Sequence, residues 1–200
     1  MNKIRMIALA ACMAATLDAS AQEQEIRLFS HRGGRMEHDE NTLSAFQASY
    51  DAGYRGFETD IRMTRDGALV ITHDSSLERT TDGTGTVEEK TEAEIRRLHT
   101  KQGNKVLFLD ELLEFLEGKE GLYVEFEMKT KPEALYPEER LHAYCDKLYD
   151  AVMAVKPADA TFVFTSGDYR GLRYLQAKHP GVDLLLITSK PCNDETIDLC

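Results

Sequence analysis

Short apolar runs recur along the chain, separated by longer stretches with helical periodicity. The strand-like runs are 26-IRLFS-30, 56-GFETDIRM-63, 122-LYVEFEMK-129, 161-TFVFTS-166 and 183-DLLLIT-188. Each is rich in β-branched or aromatic residues and bounded by turn formers. Helical patterns lie between them. One covers 42–52, with Asn41 as its cap and Gly53 at its end. Others cover 110–117 before Gly118, 138–155 between Pro137 and Lys156-Pro157, and 168–178, which opens on a capping Asp168. A last pattern, 193-NDETIDLC-200, reads as the first turns of a helix capped by Asn193. Strand and helix in alternation predict βα units and a parallel sheet. Asp66-Gly67 between 60-DIRMT-64 and 69-LVITH-73 predicts a hairpin detour. Beyond it, only 91-TEAEIRRL-98 is patterned, so about 66–103 reads as an insertion or long functional loop. Five βα-type strands suit an open α/β domain on length alone. A closed (β/α)8 barrel needs eight strands and usually about 250 residues.

The N-terminus follows a different pattern. Lys3 and Arg5 precede an apolar run over 6–17, too short to span a membrane. The small-x-small stretch 19-ASA-21 then leads into polar 22-QEQE-25, as in a secretory signal cleaved after Ala21. This predicts a secreted or periplasmic mature chain, 22–200, without a transmembrane segment. Lipidation at Cys12 in 9-LAAC-12 is the rival reading, disfavoured because the apolar run continues past the cysteine. The formal charge of −11 argues against a nucleic-acid footprint, which needs clustered Lys and Arg. Cys145, Cys192 and Cys200 remain after the signal, and their spacing fits no zinc pattern. Cys192 and Cys200 are close enough in sequence to pair in an oxidising compartment, or to stay free.

Candidate chemistry sits on the strands and at their ends. On a strand, residues i and i+2 share a face, so Glu58 and Asp60 project together, as do Glu125, Glu127 and Lys129. On a solvated antiparallel strand such pairs are routine. In a βα series both faces are usually covered, and buried carboxylates repel each other and lose hydration. A divalent cation removes both problems, and oxygen-only ligands favour Mg²⁺ or Ca²⁺ over zinc. Glu58, Asp60 and Glu127 are therefore expected to share one ion. Of the six histidines, His38, His99, His142 and His179 lie in loop or helix contexts and read as surface or packing residues. His31 and His73 end strand-like runs and precede charged residues, Arg32 and Asp74, where a histidine can exchange protons near neutral pH. Arg32 offers a planar fork for phosphate oxygens.

These residues fall within a longer match. The pieces 31-HRGG-34, 40-ENTLSAF-46, 53-GYRGFETDIRMTRDG-67, 73-HDSSLERTTDGTG-85 and 125-EFEMK-129 resemble the glycerophosphodiester phosphodiesterases, in order and at that family's spacing. The resemblance implies a (β/α)8 TIM barrel with a small insertion after the second strand. It implies catalytic roles for His31 and His73, a metal held by Glu58, Asp60 and Glu127, and substrate-phosphate contacts from Arg32 and Lys129. Glu40 and Asn41 match a site-lining pair. The implied reaction is hydrolysis of a glycerophosphodiester, a small-molecule partner, to glycerol 3-phosphate and an alcohol, with Mg²⁺ or Ca²⁺. The nucleophile is water or a neighbouring substrate hydroxyl, and either histidine can be acid or base. Three departures stand out. Asp39 replaces the family's proline, expected to change only loop stiffness. Glu125 stands where Asn is common, adding negative charge. The last three strands have no counterpart, so the barrel is expected to be incomplete, with edges near Leu28 and Leu185 and a risk of insolubility or inactivity. The alternatives are an inactive or phosphate-binding fragment, or a related barrel phosphodiesterase acting on lysophospholipids.

Overall fold

The computed structural model describes residues 28–191. The expected signal segment, the helix expected over 193–200, and Cys12, Cys192 and Cys200 lie outside the described residues. The elements run β1 (Phe29–His31), α1 (Leu43–Asp51), β2 (Gly56–Met63), β3 (Leu69–Ile71), α2 (Glu92–Ile95), α3 (Leu109–Leu116), β4 (Tyr123–Met128), α4 (Glu138–Val155), β5 (Thr161–Ser166), α5 (Tyr169–Lys178) and β6 (Leu184–Leu186). The strands form one sheet in the order β1-β2-β4-β5-β6, all parallel, with β3 antiparallel to β2. Among the described residues the sheet does not close. Leu28 and Phe29 at the β1 edge, and Leu185 and Ile187 at the β6 edge, are exposed. No helix among the described residues is long and apolar enough to cross a membrane.

Strand β2 is central, and every one of its residues is buried. Phe57, Ile61 and Met63 turn into the main apolar core with Phe126, Leu112, Leu116, Leu148 and Phe164. Burying each such side chain contributes about 1.5–3 kcal/mol. Glu58, Asp60 and Arg62 take the other face, as the two-residue period requires. The hairpin forms as the sequence predicts: Met63 pairs with Leu69 and Ile61 with Ile71, around Gly67 at φ 90°.

Several boundaries differ from expectation, and three helix starts or lengths have a clear physical reason. The cap of α1 is Thr42, whose Oγ1 accepts from the Ala45 N–H at 3.3 Å. Asn41 instead sits one position earlier with a left-handed backbone, φ 58°. Asn tolerates that conformation and β-branched Thr does not, so the two residues divide the turn and the cap between them. The start of α3 is Leu109 rather than Asp110, because the Glu111 carboxylate reaches back to the Phe108 N–H at 3.0 Å. The helix expected over 91–98 contracts to α2, held by a reciprocal Thr91–Glu94 capping box. The segment between β3 and α3 packs a small core of its own from Leu77, Val87, Ile95, Val106 and Phe108 with Val70.

The α5 cap is as expected, with Asp168 Oδ1 accepting from the Arg170 N–H at 3.2 Å. His142 and His179 stack on Tyr174 and Tyr149, with ring centroids 3.9 and 3.5 Å apart, and are packing residues. Cys145 is a buried free thiol.

Candidate active site

Parallel register sets Glu58 beside Glu125 and Asp60 beside Glu127 across β2 and β4. Glu58, Asp60 and Glu127 each bring a carboxylate oxygen to within 4.8 Å of the others. Glu125 stays outside this group, so its extra charge does not enter the ligand set. Asp60 is fully buried and Glu58 nearly so. Glu58 Oε1 and Asp60 Oδ1 are buried without a hydrogen-bond partner. Burial first, and then the charges of Asp60 and Glu127, push the Glu58 carboxyl up to about 8 from its ordinary 4.5. Converging, orphaned oxygens on a water-poor strand face fit a hard divalent cation.

A pH dependence follows. A carboxyl raised on folding binds its proton more tightly in the folded chain. Its contribution is therefore present below about 4.5 and lost as pH climbs toward about 8. Thermal unfolding of the cation-free protein should show a falling midpoint across that window. An added divalent cation, which replaces the proton, should restore it most at the alkaline end. A cation-free midpoint that holds level across the window would contradict the crowded cluster.

The first loop delivers the next groups. His31 ends β1, and Arg32, Gly33 and Gly34 then turn the chain with φ 54°, 76° and 94°. A Cβ on Gly33 would lie 2.9 Å from Ala45 Cβ, so glycine is needed there for both space and backbone. Arg32 holds its strained backbone because its N–H donates to both the backbone and side-chain oxygens of Glu58, at 3.0 and 3.1 Å. The chain returns through the Asn41 N–H, 2.9 Å from the Arg32 carbonyl. The Asn41 side chain donates to Asp60 Oδ2 at 2.8 Å. Arg32 Nε lies 3.2 Å from Asp60 Oδ2, and Arg32 Nη1 donates to Glu40 Oε1 at 3.2 Å. Lys129 Nζ is 2.7 Å from Glu127 Oε1 and 3.4 Å from Asp60 Oδ1. Two cations thus flank the three carboxylates.

The two histidines approach differently. His31 Nε2 is 3.5 Å from Glu58 Oε2. Burial, then Arg32 and Arg35, hold its imidazole below the usual histidine range. His73 Nδ1 lies 2.6 Å from Asp74 Oδ1, which leaves Nε2 for other partners. Burial raises Asp74, but hydrogen bonds from Arg79 and His73 outweigh it and hold the carboxyl at about 2. His73 and Asp74 line a cleft of about 500 Å³ with Arg62, Glu127, Lys129 and Lys131.

All nine expected site residues are placed around this cluster, and four further residues support it. Arg62 Nε donates to the His73 carbonyl at 3.0 Å, and its Nη1 to the Lys129 carbonyl at 3.2 Å. One buried guanidinium thereby pins both strand ends. Glu88 balances it at 2.8 Å, and the Tyr136 hydroxyl donates to Glu88 at 3.0 Å. Arg62 was within reach of the spacing argument, being two residues past Asp60 on the same face. Arg79, which bridges Glu40 and Asp74, was not.

Asp39 does more than alter stiffness. Its carboxylate accepts from the Thr100 hydroxyl and from Asn104 Nδ2, the latter at 2.9 Å. It ties the first loop to the turn before α3, a contact between residues far apart in sequence that no spacing rule links. Asp39→Ala should destabilise the protein by about 1–3 kcal/mol, the cost of unpaired, part-buried partners. Denaturant unfolding checks this, and a change within error would assign the bonds no weight.

The family model described as "Glycerophosphoryl diester phosphodiesterase family" matches residues 31–197. A glycerophosphodiester phosphodiesterase of Caldanaerobacter subterraneus subsp. tengcongensis is 36% identical over 123 residues, covering 57% of this chain and 50% of that protein. The chain spans about half the length of the curated relatives it matches. The crystal structure of a glycerophosphodiester phosphodiesterase from Agrobacterium tumefaciens superposes with a TM-score of 0.65 at 28% identity, covering 80% of this chain and 66% of that one. An Oleispira antarctica phosphodiesterase, solved in complex with the product sn-glycerol-3-phosphate, gives a TM-score of 0.76 at 24% identity, covering 87% and 72%. The shared architecture is the (β/α)8 barrel, of which the described residues form an open part.

Proposed function

This chain belongs to the glycerophosphoryl diester phosphodiesterase family, and from that membership we propose that it is a metal-dependent phosphodiesterase cleaving glycerophosphodiesters to sn-glycerol 3-phosphate and an alcohol. One observation carries the reading: three converging carboxylates, two of them with a buried oxygen that lacks a hydrogen-bond partner, flanked by Arg32 and Lys129, with His31 3.5 Å from Glu58 and His73 lining the same cleft as Glu127.

Glu58, Asp60 and Glu127 would hold the cation, Mg²⁺ or Ca²⁺ by their hard oxygen donors. When bound, that ion supplies a Lewis acid that offsets phosphoryl charge. Arg32 and Lys129 hold the phosphate oxygens and stabilise charge that grows as the diester is attacked. The buried strand face under them excludes water, which strengthens both interactions. One histidine removes the proton from the nucleophile, and the other delivers a proton to the departing alcohol oxygen. The nucleophile is water or the substrate's own neighbouring hydroxyl. Asp74 orients His73 through Nδ1, so that Nε2 is the atom exchanging the proton. Glu40 and Asn41 hold Arg32 and Asp60 in place.

The test is release of glycerol 3-phosphate from a panel of glycerophosphodiesters by the purified protein, with and without Mg²⁺ or Ca²⁺. Cation-dependent release supports the proposal. No release from any diester in the presence of either cation overturns it.

A further inference from the structure

One side chain joins the two catalytic loops and has no role in the reaction so far. Arg79 follows His73 by six residues, on the segment leading into the small second core. Its Nη1 and Nη2 donate to Glu40 Oε2 and Oε1 at 2.9 and 2.7 Å, a two-pronged contact. Its Nε donates to Asp74 Oδ2. Each carboxylate is engaged a second time, toward the site. Glu40 accepts from Arg32 at 3.2 Å, and Arg32 lies 3.2 Å from Asp60. Asp74 Oδ1 holds His73 Nδ1 at 2.6 Å. An unbroken chain of contacts therefore runs from His73 through Asp74, Arg79 and Glu40 to Arg32.

We propose that Arg79 is a positioning residue, which sets the His73 imidazole relative to the Arg32 guanidinium by gripping Asp74 and Glu40 at once. The inference rests on the phosphodiesterase reading, in which those two groups act on the same phosphate. Arg suits this task and Lys does not: a planar fork satisfies two carboxylates in fixed directions, while an ammonium gives one point contact. Glu40 and Asp74 also belong to loops that share no backbone pairing with each other. Without Arg79, two carboxylates would face each other across the gap and repel. Asp74 would then keep only the bond it makes to His73, with nothing fixing its own direction.

A plain surface ion pair is the competing account, since Arg79 is about half exposed and isolated exposed pairs contribute little. The two accounts differ in what Arg79→Ala does. Positioning predicts that kcat for glycerophosphodiester cleavage drops about 10–100-fold while KM and cation affinity stay within about threefold, since misplacing a proton-transfer group by about an ångström has that effect. It also predicts that the imidazole Nδ1–H resonance of His73, read in spectra of the ¹⁵N-histidine-labelled full chain, broadens or moves upfield as its hydrogen bond loses direction. Added guanidinium should recover part of both signals. Arg79→Lys should recover less than guanidinium does. Arg96→Ala serves as the control: it removes a comparably exposed arginine that pairs with Glu92, Asp110 and Glu111 away from the site, and it should leave kcat and the His73 resonance unchanged.

An Arg79→Ala protein with an unaltered His73 resonance overturns the proposal. So does a loss of turnover matched by the Arg96→Ala control. The resonance decides the positioning claim whatever the turnover of the parent protein, so the inference and the phosphodiesterase reading can fail separately.

Discussion

Asp60→Asn should abolish specific divalent-cation binding and lower glycerophosphodiester turnover by about 10²–10⁴-fold, the size of several kcal/mol of transition-state charge stabilisation. No other carboxylate in the cluster has so many partners. Asp60 is fully buried at the middle of β2. Asn41 donates to it at 2.8 Å, Arg32 lies at 3.2 Å and Lys129 at 3.4 Å. The change to Asn conserves volume, so the strand should stay paired and the loss should be one of charge. It leaves Glu58 and Glu127 to hold an ion between two cations that then fully offset their charge. Calorimetric titration with Mg²⁺ and Ca²⁺ reads the first effect, and release of glycerol 3-phosphate reads the second. If Asp60→Asn binds either ion with parental affinity, the assignment of the cluster as the cation site is wrong.

The second large effect concerns protons. His31→Ala and His73→Ala should each reduce kcat by about 10²–10⁴-fold, the range of a single positioned acid or base. Both side chains are partly exposed, at 47% and 32%, so neither deletion should open a cavity in the core. Groups that act in one transition state are not additive, so the double variant should fall little below the weaker single one. A leaving group of low pKa separates the roles. The histidine whose loss is rescued by an activated aryl diester is the proton donor. Near-parental turnover in either single variant would remove that histidine from the mechanism.

The strands and their partners were largely legible because two-residue alternation is a local signal. Glu58, Asp60 and Arg62 share a face of β2 by spacing alone, and the parallel register that brings Glu127 beside Asp60 follows from the βα order. The histidines at strand ends were legible for the same reason. What the chain did not disclose depends on contacts between distant residues. Arg79 meets Glu40 across 39 positions, and Asp39 meets Thr100 across 61. No periodicity links them. Most helix ends moved by one residue, as where Asn41 and Thr42 compete for neighbouring positions and the backbone angle decides, while α2 lost its last turn. Glu125 shares the face of Glu127, yet the converging group is Glu58, Asp60 and Glu127, the three carboxylates the sequence reading selected.

The all-buried strand β2 also divides the site by how it can open. Glu58, Asp60 and Arg62 hang on a wholly buried strand, paired with β1 as far as Glu58, with β4 through Ile61 and with β3 from Ile61 to Met63. Amide exchange there should be the slowest in the chain, limited by unfolding of the whole domain. His31 closes β1, where the pairing with β2 ends at Glu58, and His73, Asp74 and Arg79 lie in the loop past the hairpin, where opening is expected to be more local. The half proposed to grip a cation should therefore be as persistent as the fold itself. The half proposed to move protons sits at strand ends and in loops, which a protein can retune without rebuilding its core.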